Sequence, residues 1–486
     1  MVVDFSLLLP EMLLAGLGFL VLAVDLFLPQ DRPERRNKAV AAVAVVGMAA
    51  VAAMAIATQP DRSASVYGGL LFIDAYALLF KTLFLGVGIA VVLMSVEYVG
   101  RVIRHPGEFY GLIVFAVLGA NLMAGAGELL TAYISLELLS FCLFVLVGLT
   151  RGDRRSAEAS TKYILLGAIS SAVMLYGISL LYGTSGTTVF REMGPEFWDS
   201  FSPTVIVGLA MLLAGIGFKL ALVPFHLWAP DVYEGAPTPI TALVAVLSKA
   251  ATFALLLRFL AEARVGTLDE WQLALAGLAA ATMTVGTLTA LVQRNIKRLL
   301  AYSSIAQVGF VMVGVVAMTE AGANAVLLHL VGYAFTNLAA FAVVVTVEAK
   351  TRKEEIADYA GLSTASPLMA MVLTAALFSL AGLPIFAGFI TKFYLFTAAA
   401  DAGYLWLAVL AIANSVISLY YYLRVVREMY ITEPDPEPER IRLSPTSAGA
   451  LWALLAGTIA VGVYPGPFAD AVDAATNALR AYAGGA

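Results

Sequence analysis

The stretch "FKLALVPFHLWAPDVYEGAPTP", Phe218–Pro239, decides how the whole chain is read. It starts at the end of an apolar run, places Lys219 inside that run, and meets Pro224 about a turn later. Proline removes a backbone donor and clashes with the preceding turn, so the helix that carries Lys219 is expected to break there. The surroundings leave Lys219 no water to face. Of 486 residues, 61% are hydrophobic and only 13% are charged, and the mean hydropathy is +0.88. A run of about 20 apolar residues crosses a bilayer, and this chain has many such runs. Lys219 is therefore expected to lie inside a membrane-spanning segment that is interrupted beside it.

Fourteen such segments can be marked, at 6–28, 38–58, 70–98, 109–127, 129–150, 159–182, 203–226, 238–261, 270–292, 299–318, 321–348, 366–397, 403–426 and 446–466. The strands of a membrane barrel would alternate polar and apolar residues, which these segments do not, so an all-α integral membrane fold is expected. No polar stretch is long enough to fold as a separate soluble domain. The opening "MVVDFSLLLPEMLL" lacks the basic start of a cleavable signal, so the first segment reads as retained. The single cysteine, Cys142, excludes an internal disulfide. The net charge of −5, with no basic patch interleaved with aromatics, gives no reason to expect nucleic acid as a partner. The expected partner is the lipid bilayer.

Orientation follows from the loops. An outer N-terminus assigns most Lys and Arg to inner loops and leaves Arg62, Arg191, Arg258, Arg264 and Arg480 outside. The positive-inside rule then puts both termini outside. Lys81, Lys219, Lys249 and Lys392 fall within the segments themselves.

The twelfth segment repeats the pattern of the seventh. It reads "SLAGLPIFAGFITKFYLF", with Gly382, Pro384 and Gly388 ahead of Lys392. Interrupted segments at matching places in two halves point to inverted repeats around a central site. Segments 4–8 and 9–13 are the expected repeats; each has an odd number of crossings, so the second lies inverted relative to the first. The chain divides into one polytopic domain, 1–486, made of helices one to three (1–108), a first repeat (109–261), a second repeat (270–426) and a final helix (446–466). Helices seven and twelve are expected to be discontinuous, near Leu220–Pro224 and Leu383–Gly388.

A charged residue at a helix centre costs roughly 2.5–3.5 kcal/mol on insertion scales, so such residues usually face a partner or water. Glu137 lies mid-way along segment five, Lys219 in the inner part of seven, Lys249 near the middle of eight, His329 in eleven and Lys392 in the outer part of twelve. That set suits proton transfer. Burial disfavours a charged lysine and a nearby carboxylate restores it, so a carboxylate that moves a few ångströms switches a lysine between holding and releasing a proton. Histidine relays, because its unperturbed pKa is about 6.5.

Each residue also has a plainer reading. Glu137 and Lys219 would serve equally as a static pair fixing helix packing, and Lys392 would snorkel to the outer surface. His226, just after Pro224, is a candidate for proton uptake or a structural residue. Asp231 and Glu234 fall in an inner loop with no Lys or Arg of its own, a proton-collecting mouth or simply a solvated loop. Asp74 and Lys81, seven apart on segment three, are expected to pair along one face. Glu11, Asp25 and Glu97 are expected at the interfaces. There is no Walker motif, no GxGxxG at a strand–helix turn, no CxxC pair and no bis-histidine haem arrangement. The chain is therefore expected to bind no nucleotide, cluster, haem or metal and to carry no electrons.

Three stretches, "FKLALVPFHLWAPDVYEGAPTP", "KRLLAYSSIAQVGFV" and "GLPIFAGFITKFYLF", closely resemble the antiporter-like membrane subunits of respiratory complex I, over nearly the whole chain. They are also similar to subunits of multisubunit cation/proton antiporters and membrane-bound hydrogenases. "LLPEMLLAGLGFLVLAVDLFLP", "FIDAYALLFKTLF" and "AYISLELLSF" resemble the N-type branch most. A lysine at Lys392 fits that branch, since M-type members carry glutamate on that helix. The resemblance implies a non-redox subunit of a bacterial cytoplasmic-membrane NADH:quinone oxidoreductase that translocates protons through Glu137, Lys219, Lys249, His329 and Lys392. FMN, iron–sulfur clusters and quinone would reside in partner subunits, and the neighbours would be an M-type subunit and small membrane subunits. Gln307 stands where L- and M-type relatives usually have histidine, which argues against a proton role for segment ten. Two other functions fit the residues: a subunit of a Na⁺/H⁺ antiporter or hydrogenase, and a purely structural membrane subunit.

Overall fold

The computed structural model describes residues 5–60, 63–150, 152–194, 197–198, 202–265, 269–434 and 439–483. Arg62, counted among the outer loops, lies outside the described residues. The helices are α1 (Leu9–Phe27), α2 (Pro33–Ala57), α3 (Ala75–Val102), α4 (Pro106–Gly125), α5 (Leu129–Val147) and α6 (Arg154–Ser185). They continue with α7 (Pro203–Leu220), α8 (Trp228–Gly235), α9 (Thr238–Glu262), α10 (Asp269–Ala290), α11 (Ile296–Ala317) and α12 (Glu320–Thr351). The last are α13 (Pro367–Ala381), α14 (Ala387–Asp401), α15 (Leu405–Tyr430), α16 (Pro445–Val463) and α17 (Gly466–Ala483).

Among the described residues, 13 helices are long and apolar enough to cross a membrane. The one sequence segment outside that count is the twelfth, which is broken: α13 and α14 have 15 residues each, too short singly to cross. The seventh is broken as well, ending at Leu220 and resuming at Trp228. From α4 onward the order runs twice as three continuous helices, a broken one and a continuous one: α4, α5, α6, α7/α8, α9, then α10, α11, α12, α13/α14, α15.

Local chemistry sets the helix ends. Proline opens α2, α4, α7, α13 and α16 within the first two positions, where its missing N–H costs nothing. Asp74, Ser202, Asn295 and Thr319 cap the starts of α3, α7, α11 and α12 through their side-chain oxygens. A short antiparallel hairpin, Ala64–Val66 with Leu71–Ile73, precedes α3, so the beginning of the third segment is strand rather than helix. Helices α9, α11 and α12 form the centre; the most apolar window of α9 is buried throughout, and those of the other two nearly so. The outer helices leave one face to lipid, as on α6 with Leu165, Ile169 and Tyr176 exposed.

Several charges sit elsewhere than expected. Asp74 does not pair with Lys81. It receives both arms of Arg258, at 2.8 and 2.9 Å, with both side chains fully buried. Arg258, counted as an outer-loop residue, is therefore part of α9 and of the core, its guanidinium against the rings of Phe72 and Tyr76. Lys81 pairs instead with Glu11 of α1, inside the bundle. Asp25 is likewise buried, held by Arg36 at 2.6 Å through two bonds. The physical reason is common to all: a bundle of long helices gives an intramembrane charge a partner across space more readily than along its own helix. The chain also adds a helix beyond segment fourteen, α17, which packs on α3, α9 and α12.

Candidate proton-transfer site

The first break is built by α7. Ala221 takes the left-handed conformation at φ +60°, and Leu222 N donates to Gly217 O at 2.8 Å, closing a Schellman-type end. The chain then passes the cis peptide Val223–Pro224 and starts again at Trp228. Trp228 turns back, and its Nε1 donates to Phe218 O at 2.8 Å. Lys219, in the last turn of α7, is 3% exposed. Its ammonium lies over the rings of Phe144 at 5.5 Å and Tyr163 at 5.4 Å. Glu137 on α5 accepts the hydroxyl of Ser171 from α6. Glu137 and Lys219 do not form a hydrogen-bonded ion pair in this conformation, though the carboxylate lies within electrostatic reach of the ammonium.

Lys249 lies on α9 directly after a π-turn, Val244–Ser248. It is 2% exposed and donates to Ser304 Oγ of α11 at 2.5 Å. Ser304 is hydrogen-bonded to Tyr333 Oη at 2.7 Å. The Tyr333 ring stacks on His329, one turn away on α12, with centroids 6.3 Å apart. His329 Nδ1 meets Thr391 Oγ1 of α14 at 2.9 Å. Thr391 adjoins Lys392, which does not snorkel: it is 3% exposed and donates to Leu380 O at 2.7 Å and Ser415 Oγ at 3.0 Å. The second break supplies that carbonyl. Helix α13 ends in a Schellman-type turn at Gly382, with Leu383 N donating to Phe378 O at 3.0 Å, which leaves Leu380 O free to accept.

The structure thus brings Lys249, His329 and Lys392 onto one line of hydroxyls and rings, and Lys219 with Glu137 to its near end. Ser304, Tyr333 and Thr391 are the links that the sequence reading missed; Tyr333 stood in view, four residues from His329 and so on its helix face. Segment ten, expected to stand apart, supplies Ser304, and its Gln307 donates to the same Leu380 carbonyl as Lys392, at 2.9 Å. The hydroxyls of Tyr163 and Tyr233, Ser248 Oγ, Asn337 Oδ1 and His329 Nε2 are buried with no protein partner. Buried polar atoms usually have one, and water is the usual substitute. A row of such atoms between lysines is chemically equipped to pass protons.

His226 lies in the connection after Pro224, and its ring makes no hydrogen bond to Lys219 or Lys249. Asp231 and Glu234 are on α8 rather than in a loop, and cations from other helices hold them. Asp231 meets Lys162 at 2.8 Å and Arg298 at 3.0 Å; Glu234 meets Arg298 at 2.7 Å. Burial alone would push the Asp231 carboxyl up, but these two cations outweigh it and hold it below the usual carboxylate range.

Paired helix breaks around a buried line of lysines, hydroxyls and a histidine define an antiporter-like, multi-pass membrane protein. The chain belongs to the NADH:quinone oxidoreductase/Mrp antiporter transmembrane family, whose match covers residues 126–418. It is 42% identical to NADH-quinone oxidoreductase subunit N of Heliobacterium modesticaldum, over 98% of this chain and 100% of the relative. It is 41% identical to NAD(P)H-quinone oxidoreductase subunit 2 of Thermosynechococcus vestitus, over 96% and 92%. A chain in the structure of respiratory complex I from Thermus thermophilus with bound aureothin superposes with a TM-score of 0.79 at 33% identity, covering 96% of this chain and 99% of that one. A chain of the Mrp complex from Dietzia sp. shares the fold, with a TM-score of 0.85 at 21% identity and 97% of both chains covered.

Proposed function

We propose that this chain is a proton-translocating, non-redox membrane subunit of a bacterial NADH:quinone oxidoreductase. The observation that carries the reading is the line from Lys249 through Ser304, Tyr333, His329 and Thr391 to Lys392, buried along its length and flanked by the two helix breaks. FMN, iron–sulfur clusters and quinone belong to other subunits, whose redox chemistry drives this one. A shift of Glu137 towards or away from Lys219 changes the charge that Lys219 can hold, and the change passes to Lys249 and outward to Lys392. Helices α4 to α9 and α10 to α15 act as two inverted repeats within a single domain, with helices one to three and the final helices packed around them. The chain lies in the cytoplasmic membrane with both termini outside. Glu137 sits at the edge of the exposed apolar face of α5, where Ile134 and Phe141 stand ready for a neighbouring membrane subunit. Near-full-length likeness at 42% identity to a relative named NADH-quinone oxidoreductase subunit N favours the oxidoreductase over a Na⁺/H⁺ antiporter.

Lys249→Arg in the assembled complex tests the reading. Arginine keeps the charge but cannot release its proton, so pumping should fall roughly tenfold or more, as for loss of a proton-transfer group. Full pumping in that variant, measured by dye quenching in liposomes, would sink the relay.

A further inference from the structure

Glu348 is a carboxylate 8% exposed near the end of α12, and none of the groups in the line above uses it. Its two oxygens accept hydroxyls from two other helices: Tyr98 of α3 at 3.1 Å, and Thr238, the first residue of α9. The charges that face it are Lys297 of α11, and Glu354 and Arg352 just past the end of α12. Lys297 is itself 2% exposed, and donates to Glu354 at 2.9 Å and to Ala236 O at 3.3 Å. Glu354 is about one-fifth exposed and reaches the surface, where Arg155 stands 3.8 Å away. Tyr359, whose hydroxyl is buried without a protein partner, lies in the field of Glu348, Glu354 and Asp358. Here ionisable groups descend from solvent into the protein, Glu354, Lys297 and Glu348, and end on the hydroxyl of Thr238.

We propose that Glu348 is the proton-loading group on the inner side of the protein, delivering protons to Lys249 by way of Thr238 and Tyr233. The inference rests on the proposed proton-translocating function. Glu348 takes a proton from the inner surface through Glu354 and gives it up towards α9, returning to carboxylate, while Lys297 remains an ammonium throughout. The onward direction is set by Tyr233. Its backbone carbonyl accepts the Thr241 hydroxyl at 3.0 Å, one turn along α9 from Thr238, and its ring reaches the Lys249 ammonium at 5.8 Å. Its own hydroxyl is buried without a partner, as is Asn337 Oδ1. Asn337 precedes Glu348 by three turns of α12 and so lies on nearly the same face. The unpaired groups thus stand along one side between Glu348 and Lys249. His226 is not on this route.

A strut and a proton carrier differ in what they tolerate. Glutamine keeps the volume and one oxygen, so one of the Tyr98 and Thr238 hydroxyls still donates while the other must turn to accept from the amide N–H, but it takes up no proton; aspartate keeps the acid. The test is Glu348→Gln, Glu348→Asp and Lys249→Ala in the complete complex, purified and placed in liposomes, with NADH oxidation and lumen acidification followed together. Glu348→Gln should lower acidification roughly tenfold or more, as for loss of a proton-transfer group, and Glu348→Asp should restore most of it. Full pumping in Glu348→Gln beside a dead Lys249→Ala overturns this inference and leaves the relay standing. Full pumping in Lys249→Ala overturns the relay and the inference with it. If Glu348→Gln fails to assemble, Thr238→Val decides: unchanged pumping there overturns the route.

Discussion

The two helix breaks start alike and end differently. Both close with a Schellman-type turn, at Ala221 and at Gly382, and in both a last-turn carbonyl accepts a side-chain donor. At the first break Trp228 takes that carbonyl, so the nearby Lys219 is left with two aromatic faces and a carboxylate beyond contact. At the second the lysine itself takes it, and Lys392 is tied to Leu380 O and Ser415. A buried ammonium with fixed acceptors is held in place; one over rings alone answers to whatever charge comes near. The first break therefore suits a group that responds to Glu137, and the second suits a fixed terminus of the line.

The largest effect should come from forcing the second break apart. A Cβ on Gly388 would fall 1.8 Å from Ser379 O, a backbone atom of the opposite half-helix. Gly388→Ala should destabilise the subunit by about 1–3 kcal/mol or more, seen as loss of assembled complex on a native gel. Normal assembly would show that the two halves are not locked together.

Next come the lysines. Lys392→Met strips Leu380 O and Ser415 of a charged donor and should cost about 1–3 kcal/mol, lowering the thermal midpoint of the purified complex. Lys219→Met removes no hydrogen bond and replaces a buried charge with apolar packing, so stability should hold or rise. Equal losses in thermal scans would erase the distinction between the breaks.

Trp228→Phe keeps the stacking on Tyr163, whose rings lie 4.6 Å apart, but takes the indole donor from Phe218 O and leaves it the Ala221 N–H at 3.0 Å. Loss of that one hydrogen bond costs about 0.5–1.5 kcal/mol, less if Lys219 turns to replace it. Combining this change with Lys219→Met separates the two outcomes, because the double variant should then lose more than the sum of its parts.

The smallest effects have opposite signs. Ala221 carries a Cβ in a left-handed conformation that glycine adopts freely, so Ala221→Gly should stabilise by up to about 1 kcal/mol. Gly382→Ala puts a Cβ at φ +88° and 3.3 Å from Lys392 Cδ, and should destabilise by a similar amount or more. Melting curves of the two variants check the pair.

The breaks were legible in the sequence because proline and glycine act on their own backbone, and because a lysine amid apolar residues is conspicuous. Which side chain would reach the last-turn carbonyl at each break was not legible: Lys392 reaches back 12 residues across its own break, while at the other Trp228 reaches back to Phe218 O from the far side. The pairing of Asp74 with Arg258 spans 184 residues, so nearest-neighbour spacing pointed to Lys81 instead. The hydroxyl links Ser304, Tyr333 and Thr391 look like ordinary helix residues until three helices are packed together.

The π-turn at Val244–Ser248 has a mechanical consequence. Helix α9 is anchored at its foot, where Thr238 bonds Glu348, and near its head, where Arg258 grips Asp74. Between fixed ends the turn is a dislocation, one surplus residue in an otherwise regular winding. Sliding it along the axis moves neither end, yet each residue it passes swings about 100° around the helix. Lys249 is the first residue in its way, so a single step of the dislocation would re-aim the ammonium while both anchors stay bound.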